Sequence, residues 1–162
     1  MALRDEMSSN DPMSLNREAL LSLIKTSSMI LRLSDRFFAR YGTTDIQFNI
    51  LMILKNSPQE GLSQQELSER LVVTKSNVVG LVDRMEKQEF VKRKAHPTDR
   101  RFNQIVITAK GKKLVEKVEM HYYREVERLM SGISTPEKKS LIESTAKMRE
   151  SLKEKESDEN GK

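Results

Sequence analysis

A change of hydrophobic period between residues 61 and 108 constrains this chain more than any other feature. Four apolar residues recur there at helical spacing and form one face of a helix: Val78, Leu81, Val82 and Met85. Beyond Lys87 the period becomes two, so residues 90–94 and 104–108 are predicted to be strands around a charged segment. The chain must therefore pass from helix to hairpin within a few residues.

A shorter helix is predicted just before that segment. Ser63 and Glu66 have the spacing of a capping box, and Leu67 and Leu71 give the helix an inward stripe. Leu62 is expected to add a one- or two-residue strand beside the hairpin. Helix, turn, helix and hairpin in this order are typical of a winged helix-turn-helix module, whose second helix enters the major groove of DNA.

Residues 74–111 (TKSNVVGLVDRMEKQEFVKRKAHPTDRRFNQIVITAKG) resemble the MarR family of bacterial transcriptional regulators. The likeness lies in the second helix, an Asp-X-Arg wing and an apolar strand that ends at a Thr before a Lys/Gly helix start. The resemblance implies that Asp99 holds the wing and that Arg101 enters the minor groove. It also implies a homodimer, more often a repressor, and small aromatic or anionic effectors bound between the dimer helices and the DNA module.

The predicted DNA-binding residues follow from the second helix and the wing. They are Thr74, Lys75, Ser76, Asn77, Gly80, Arg84, Asp99, Arg100 and Arg101. Thr74 is placed to cap the helix, and Arg84 and Arg100 are expected to contact phosphates. Asp83 would repel phosphate, so we expect it to pair with Lys87 one turn later.

Plainer roles exist for two of these groups. The first turn of the second helix, residues 75–77, could be an ordinary capped helix start. Arg100 and Arg101 could be a soluble loop tip. The occurrence of helix, turn and wing together favours DNA contact for both groups.

Positive charge is concentrated around the same module. Residues 70–113 hold twelve Lys and Arg against four Asp and Glu, whereas the remainder holds seventeen basic and twenty acidic residues. A positive face of this kind binds DNA by releasing counterions from phosphates, which makes affinity salt-dependent. Double-stranded DNA is therefore the predicted partner.

The flanking segments are predicted to be helices that carry more apolar surface than the module can cover. Residues 1–12 are expected to be a mobile tail, residues 13–42 a dimerisation helix, and residues 43–108 the DNA-binding module. Residues 109–153 are expected to form C-terminal dimerisation helices, with Ala109–Met130 as the first, and residues 154–162 a second mobile tail. The predicted fold is thus mainly α with a small β-hairpin, and the flanking helices are expected to form a homodimer. The alternative is that they fold back on their own module.

Several functional classes receive no support from the sequence. The 162 residues include no cysteine, so disulfides and thiol sensing are excluded. His96 and His121 provide too few ligands to indicate a metal site, so neither a metal nor a cofactor is predicted. No nucleophile stands beside a base, so no catalytic residue is predicted. No apolar run is long enough to span a membrane and the chain start is polar, which predicts a cytoplasmic protein.

The sequence therefore predicts a DNA-binding transcriptional regulator. We expect a repressor that acts as a homodimer on a pseudo-palindromic operator and is released by a small ligand that no residue identifies. The alternative is a winged helix that docks other proteins without binding DNA. The concentrated positive charge argues against that alternative.

Overall fold

A computed structural model of the protein describes residues 12–71, 75–95 and 103–160. In these ranges the elements follow in the order α1 (Pro12–Ala39), α2 (Asp45–Lys55), β1 (Leu62–Ser63), α3 (Gln64–Arg70), α4 (Lys75–Lys87), β2 (Val91–Ala95), β3 (Asn103–Ile107), α5 (Ala109–Met130) and α6 (Thr135–Asn160). The predicted mainly helical fold with a small hairpin is confirmed. The chain divides into two units, residues 1–118 and 119–162.

The sheet has three antiparallel strands in the order β1-β3-β2. Val91 lies opposite Ile107, and Leu62 lies opposite Ile105, so the short first strand pairs with β3 as predicted. The hairpin strands are each displaced by one residue from their predicted ranges. Phe90 and Thr108, just beyond the paired strands, also serve as a helix end and a helix cap.

Unit 1 is built around an apolar core contributed by its helices and sheet. Its most deeply buried residues are Phe38, Phe48, Ile50, Leu51, Leu67, Val78, Val82, Met85, Val91, Ile105, Val115 and Val118. The apolar face predicted for the second helix of the module is thus confirmed, because Val78, Val82 and Met85 are fully buried. Its remaining member, Leu81, is 7% exposed.

Capping boxes start two helices of unit 1. Thr44 caps α2, and the Thr44 N–H donates to Gln47 Oε1 at 3.2 Å. Ser63 begins α3, and its N–H donates to Glu66 Oε2 at 2.8 Å. Each box satisfies backbone donors that a helix start otherwise leaves without partners.

A Schellman motif ends α4 and turns the chain into β2. The Phe90 N–H donates to the Met85 carbonyl and the Glu89 N–H donates to the Glu86 carbonyl, both at 2.9 Å. Glu89 has a φ of 62°, in the left-handed region that usually selects glycine at this position. The helix therefore ends in a fixed geometry at the cost of some backbone strain.

Thr108 joins the sheet to α5. Its hydroxyl accepts from the Gly111 N–H at 3.1 Å, as a helix cap does, and donates to the Glu89 carbonyl at 2.6 Å. Its N–H donates to the Phe90 carbonyl at 3.1 Å. The start of α5 is thereby attached to the turn that ends α4.

Unit 2 contains the end of α5 and all of α6. Ser134 precedes α6; its carbonyl accepts from the Lys138 N–H at 2.9 Å, and its own N–H donates to Glu137 Oε2 at 2.8 Å. The helix then continues to Asn160, so the expectation of a tail from residue 154 is wrong as to structure. Lys and Glu are good helix formers, and a run of charge is therefore compatible with a solvated helix.

Both long flanking helices leave apolar side chains exposed in the single chain. On α1 these include Leu20, Ile24 and Leu31, which are about half exposed. On α6 Ile142 and Leu152 are exposed to a similar or greater degree. None of the described helices has the length and apolar character needed to cross a membrane.

Candidate nucleic-acid interface

The candidate recognition surface of this module is the outward face of α4. Because Val78, Val82 and Met85 fix the opposite face in the core, the helix can turn only one side to the solvent. Asp83, Arg84 and Lys87 lie on that exposed side. An exposed helix held by its buried face is the arrangement that a major groove admits.

Gly80 leaves the middle of this face open. A Cβ built on Gly80 would meet only Arg84, whose nearest guanidinium nitrogen lies 3.8 Å away. Arg84 therefore extends beside the glycine on the outward side, where it is exposed. The face thus offers close backbone approach next to a cation, as expected for a surface that meets nucleic acid.

Arg93 attaches strand β2 to α4. Its guanidinium contacts Asp83 Oδ1 at 2.6 Å and also pairs with the carboxylate of Glu86. In addition the Arg93 backbone N–H donates to Glu86 Oε1 at 2.9 Å. The wing strand is therefore held to the recognition helix by two ion pairs and a backbone hydrogen bond.

The expected pairing of Asp83 with Lys87 is wrong. Asp83 has a structural role, as predicted, but its partner Arg93 comes from the strand that folds back along the helix. Burial opposes the charge on Arg93, yet hydrogen bonds to Asp83 and Glu86 outweigh it, and the pKa of Arg93 is raised. The outward carboxylate of Asp83 is thus neutralised by a cation that stays charged.

The other predicted contact residues divide into two groups. Lys75, Ser76 and Asn77 form the first turn of α4, at the end of the helix that reads base edges in such modules. Thr74, Asp99, Arg100 and Arg101 lie outside the described residues. Their predicted roles therefore stay predictions.

Val79, beside Gly80 on α4, is an additional candidate contact residue that the sequence pattern did not indicate. It is 42% exposed, although its neighbour Val78 is fully buried. Helical spacing places Val79 about 100° from Val78, beyond the edge of the apolar face, and that position was the available signal. An exposed aliphatic side chain beside Gly80 gives the outward face an apolar contact point.

The fold and this face define a class of protein, the winged helix-turn-helix transcriptional regulators. A family model described as MarR family matches residues 41–101. The HTH-type transcriptional repressor YetL of Bacillus subtilis strain 168 is 30% identical over 135 residues, which cover 83% of this chain and 81% of that protein. The chain belongs to the MarR family.

Solved structures of this family include DNA complexes. Sco3205, a MarR family transcriptional regulator from Streptomyces coelicolor in complex with DNA, is 25% identical with a TM-score of 0.80, covering 92% of this chain and 93% of that one. The S. aureus MepR–DNA complex is 26% identical with a TM-score of 0.71, covering 82% of this chain and 94% of that one. The chain is thus a DNA-binding transcriptional regulator.

Proposed function

We propose that this regulator is a repressor that acts in the cytoplasm as a homodimer on a pseudo-palindromic operator. The observation that carries the proposal is the outward face of α4, fixed by its buried side and locked to the wing strand by Arg93. A rigid recognition helix presents its contacts without a large ordering cost on binding.

Each part of the surface receives a role. Lys75, Ser76 and Asn77 contact base edges or phosphates at the start of α4, and Arg84 contacts a phosphate. Val79 packs against the methyl group of a thymine, the one base feature in the major groove that selects an apolar partner.

The wing supplies a second contact. Strands β2 and β3 are antiparallel neighbours, and residues 96–102 connect them. By resemblance to the family, Arg101 enters the minor groove and Asp99 holds the wing. Arg100, beside them at the tip, contacts a phosphate. Narrow A·T-rich minor grooves attract arginine, so the wing prefers A·T pairs where it binds.

The homodimer is supported by the exposed apolar residues of α1 and α6. Leu20, Leu31 and Leu152 are among those that a single chain leaves in water. A two-fold dimer covers such faces and presents two recognition helices to half-sites about 34 Å apart. Deleting residues 134–162 should give a monomer in sedimentation, and a stable dimer of residues 1–133 would contradict this arrangement.

Selection of bound fragments from the source genome tests the function. We expect one or a few inverted repeats with half-sites about one helical turn apart. Affinity for random duplex should fall steeply with salt, with a slope of about −0.9 per phosphate neutralised. A chain that captures no DNA at low salt but captures another protein would instead be a docking module.

Release of the repressor requires a non-covalent effector. With no cysteine in the chain, thiol oxidation cannot supply the switch. The resemblance supports a small aromatic or anionic molecule as the effector. We expect it to prefer a dimer whose two recognition helices are wrongly spaced for DNA. A coupling of about 1–3 kcal/mol then lowers DNA affinity 5- to 150-fold. Loss of binding under mild peroxide, reversed by a thiol reductant, would be inconsistent with this switch.

A further inference from the structure

A cleft of about 470 Å³ lies in unit 1 on the sheet side of the module. The C-terminal end of α2, the loop after it, strand β2, strand β3 and the first turns of α5 form its walls. Four lysines line it: Lys55, Lys92, Lys94 and Lys112. No residue of its described lining is an Asp or a Glu.

The cleft opens away from the recognition helix. Side chains alternate along a strand, so Lys92 and Lys94 point to the opposite face of the sheet from Arg93. Arg93 is fixed to Asp83 and Glu86 of α4. Lys92 is paired in register with Val106, which lines the floor of the cleft.

The four lysines come from three separate elements, and the described lining between them contains no acidic residue. Within residues 12–71, 75–95 and 103–160, no ion pair joins a carboxylate to Lys92, Lys94 or Lys112. Like charges gathered in a concave site repel one another, and a bound anion relieves that repulsion. The arrangement is therefore suited to an anion with several charges.

We propose that this cleft, here called the lysine cleft (Lys55, Lys92, Lys94 and Lys112), binds a small metabolite that carries two or more phosphate groups. Lysine ammonium groups bind phosphate as point charges. The volume lies within the range of about 300–1,000 Å³ that small-molecule sites occupy.

A DNA duplex is the less favoured occupant of the cleft. A duplex that meets the outward face of α4 lies on the side to which Arg93 points, whereas Lys92 and Lys94 face the other way. A concave site of this size also matches a compact ligand better than a cylinder of DNA.

Calorimetric titration of the full chain tests the proposal, with inorganic tripolyphosphate and ADP as probes at low, fixed ionic strength. We compare the parent with Lys92→Gln/Lys94→Gln and with a control, Lys139→Gln/Lys147→Gln. Lys139 and Lys147 are exposed residues of α6, so the control removes the same charge elsewhere. Unfolding curves verify that each variant is folded. If Lys92→Gln/Lys94→Gln does not fold, Lys55→Gln/Lys112→Gln replaces it.

We expect one saturable site per chain, at least tenfold weaker binding in the cleft variant and less than twofold weaker binding in the control. Absence of saturable binding by the parent would overturn the proposal, as would equal losses in both double variants. If the parent does not bind tripolyphosphate and the cleft variant binds duplex DNA tenfold more weakly than the parent, the lysines contact DNA instead.

Discussion

Replacing Arg93 by methionine should weaken DNA binding chiefly by exposing the charge of Asp83. The side chains of Arg93, Asp83 and Glu86 are 23%, 52% and 38% exposed, so each ion pair is partly screened. Pairs of this kind contribute about 0.2–1 kcal/mol each, which predicts a loss of stability of about 0.5–2 kcal/mol. The domain should remain folded.

The loss of DNA affinity is a separate effect, caused by repulsion between the unpaired Asp83 and a phosphate. A carboxylate about 8 Å from a phosphate costs about 0.5–2 kcal/mol for effective dielectric constants between about 80 and 20. Affinity for a duplex should therefore fall between about twofold and thirtyfold. If the cause is the unmasked Asp83, Asp83→Asn in the Arg93→Met background should recover most of the loss.

Fluorescence anisotropy with a labelled duplex at fixed low salt completes the double-mutant cycle. Lys92→Met is the matched control, because it removes one charge from the same strand on the opposite face. We expect that control to change affinity less than Arg93→Met does. If Asp83→Asn/Arg93→Met binds DNA no better than Arg93→Met, the two residues are not coupled and the masking argument is wrong.

Four further predictions concern single positions. Val79→Ala should abolish a preference for thymine over deoxyuridine at one operator position, worth about 0.8 kcal/mol or roughly fourfold for one methyl group; an unchanged preference in binding assays would refute the contact. Gly80→Leu should remain folded by circular dichroism yet lose operator binding, because a Cβ there has open space but the outward face would be blocked. Gly111→Ala should lower the free energy of unfolding in urea by about 1–3 kcal/mol, since its Cβ would clash with the Phe90 carbonyl oxygen; an unchanged midpoint would contradict this. The pKa of Asp45 is raised by burial, opposed by a hydrogen bond from Ser34, so its protonated form is favoured in the folded state. As pH rises from the ordinary pKa of 3.8 through the raised pKa of the folded state, the parent should therefore lose stability relative to Asp45→Asn. An NMR titration that places the Asp45 pKa at or below 3.8 would contradict this prediction.

Local signals made most of the fold predictable. Spacing alone predicts the capping box of Ser63 and Glu66, the apolar face from Val78 to Met85 and the bounds of α5. Such features depend on neighbours within one or two turns of helix, and these neighbours are close in the sequence. The same holds for the change of period that announced the hairpin.

Features that depend on tertiary contact were not accessible in this way. Helical spacing predicts that Asp83 pairs with Lys87, but Arg93 reaches Asp83 across the turn from a different element. The lysine cleft brings together positions 55, 92, 94 and 112, which nothing in the sequence associates. A run of charge predicts a tail after residue 153, but α6 continues to Asn160 because Lys and Glu favour helix.

Glu89 has an evolutionary consequence. A residue with a side chain held at a φ of 62° costs about 1–2 kcal/mol relative to glycine. Both glutamate codons become glycine codons by one nucleotide substitution. A single mutation, Glu89→Gly, would therefore increase stability. The substitution would remove the exposed ion pair between Glu89 and Lys110, at 3.0 Å, and this loss would cost little stability. Lineages that carry damaging core mutations in this protein should therefore acquire Glu89→Gly repeatedly, as a suppressor that restores folding without contacting the site of damage.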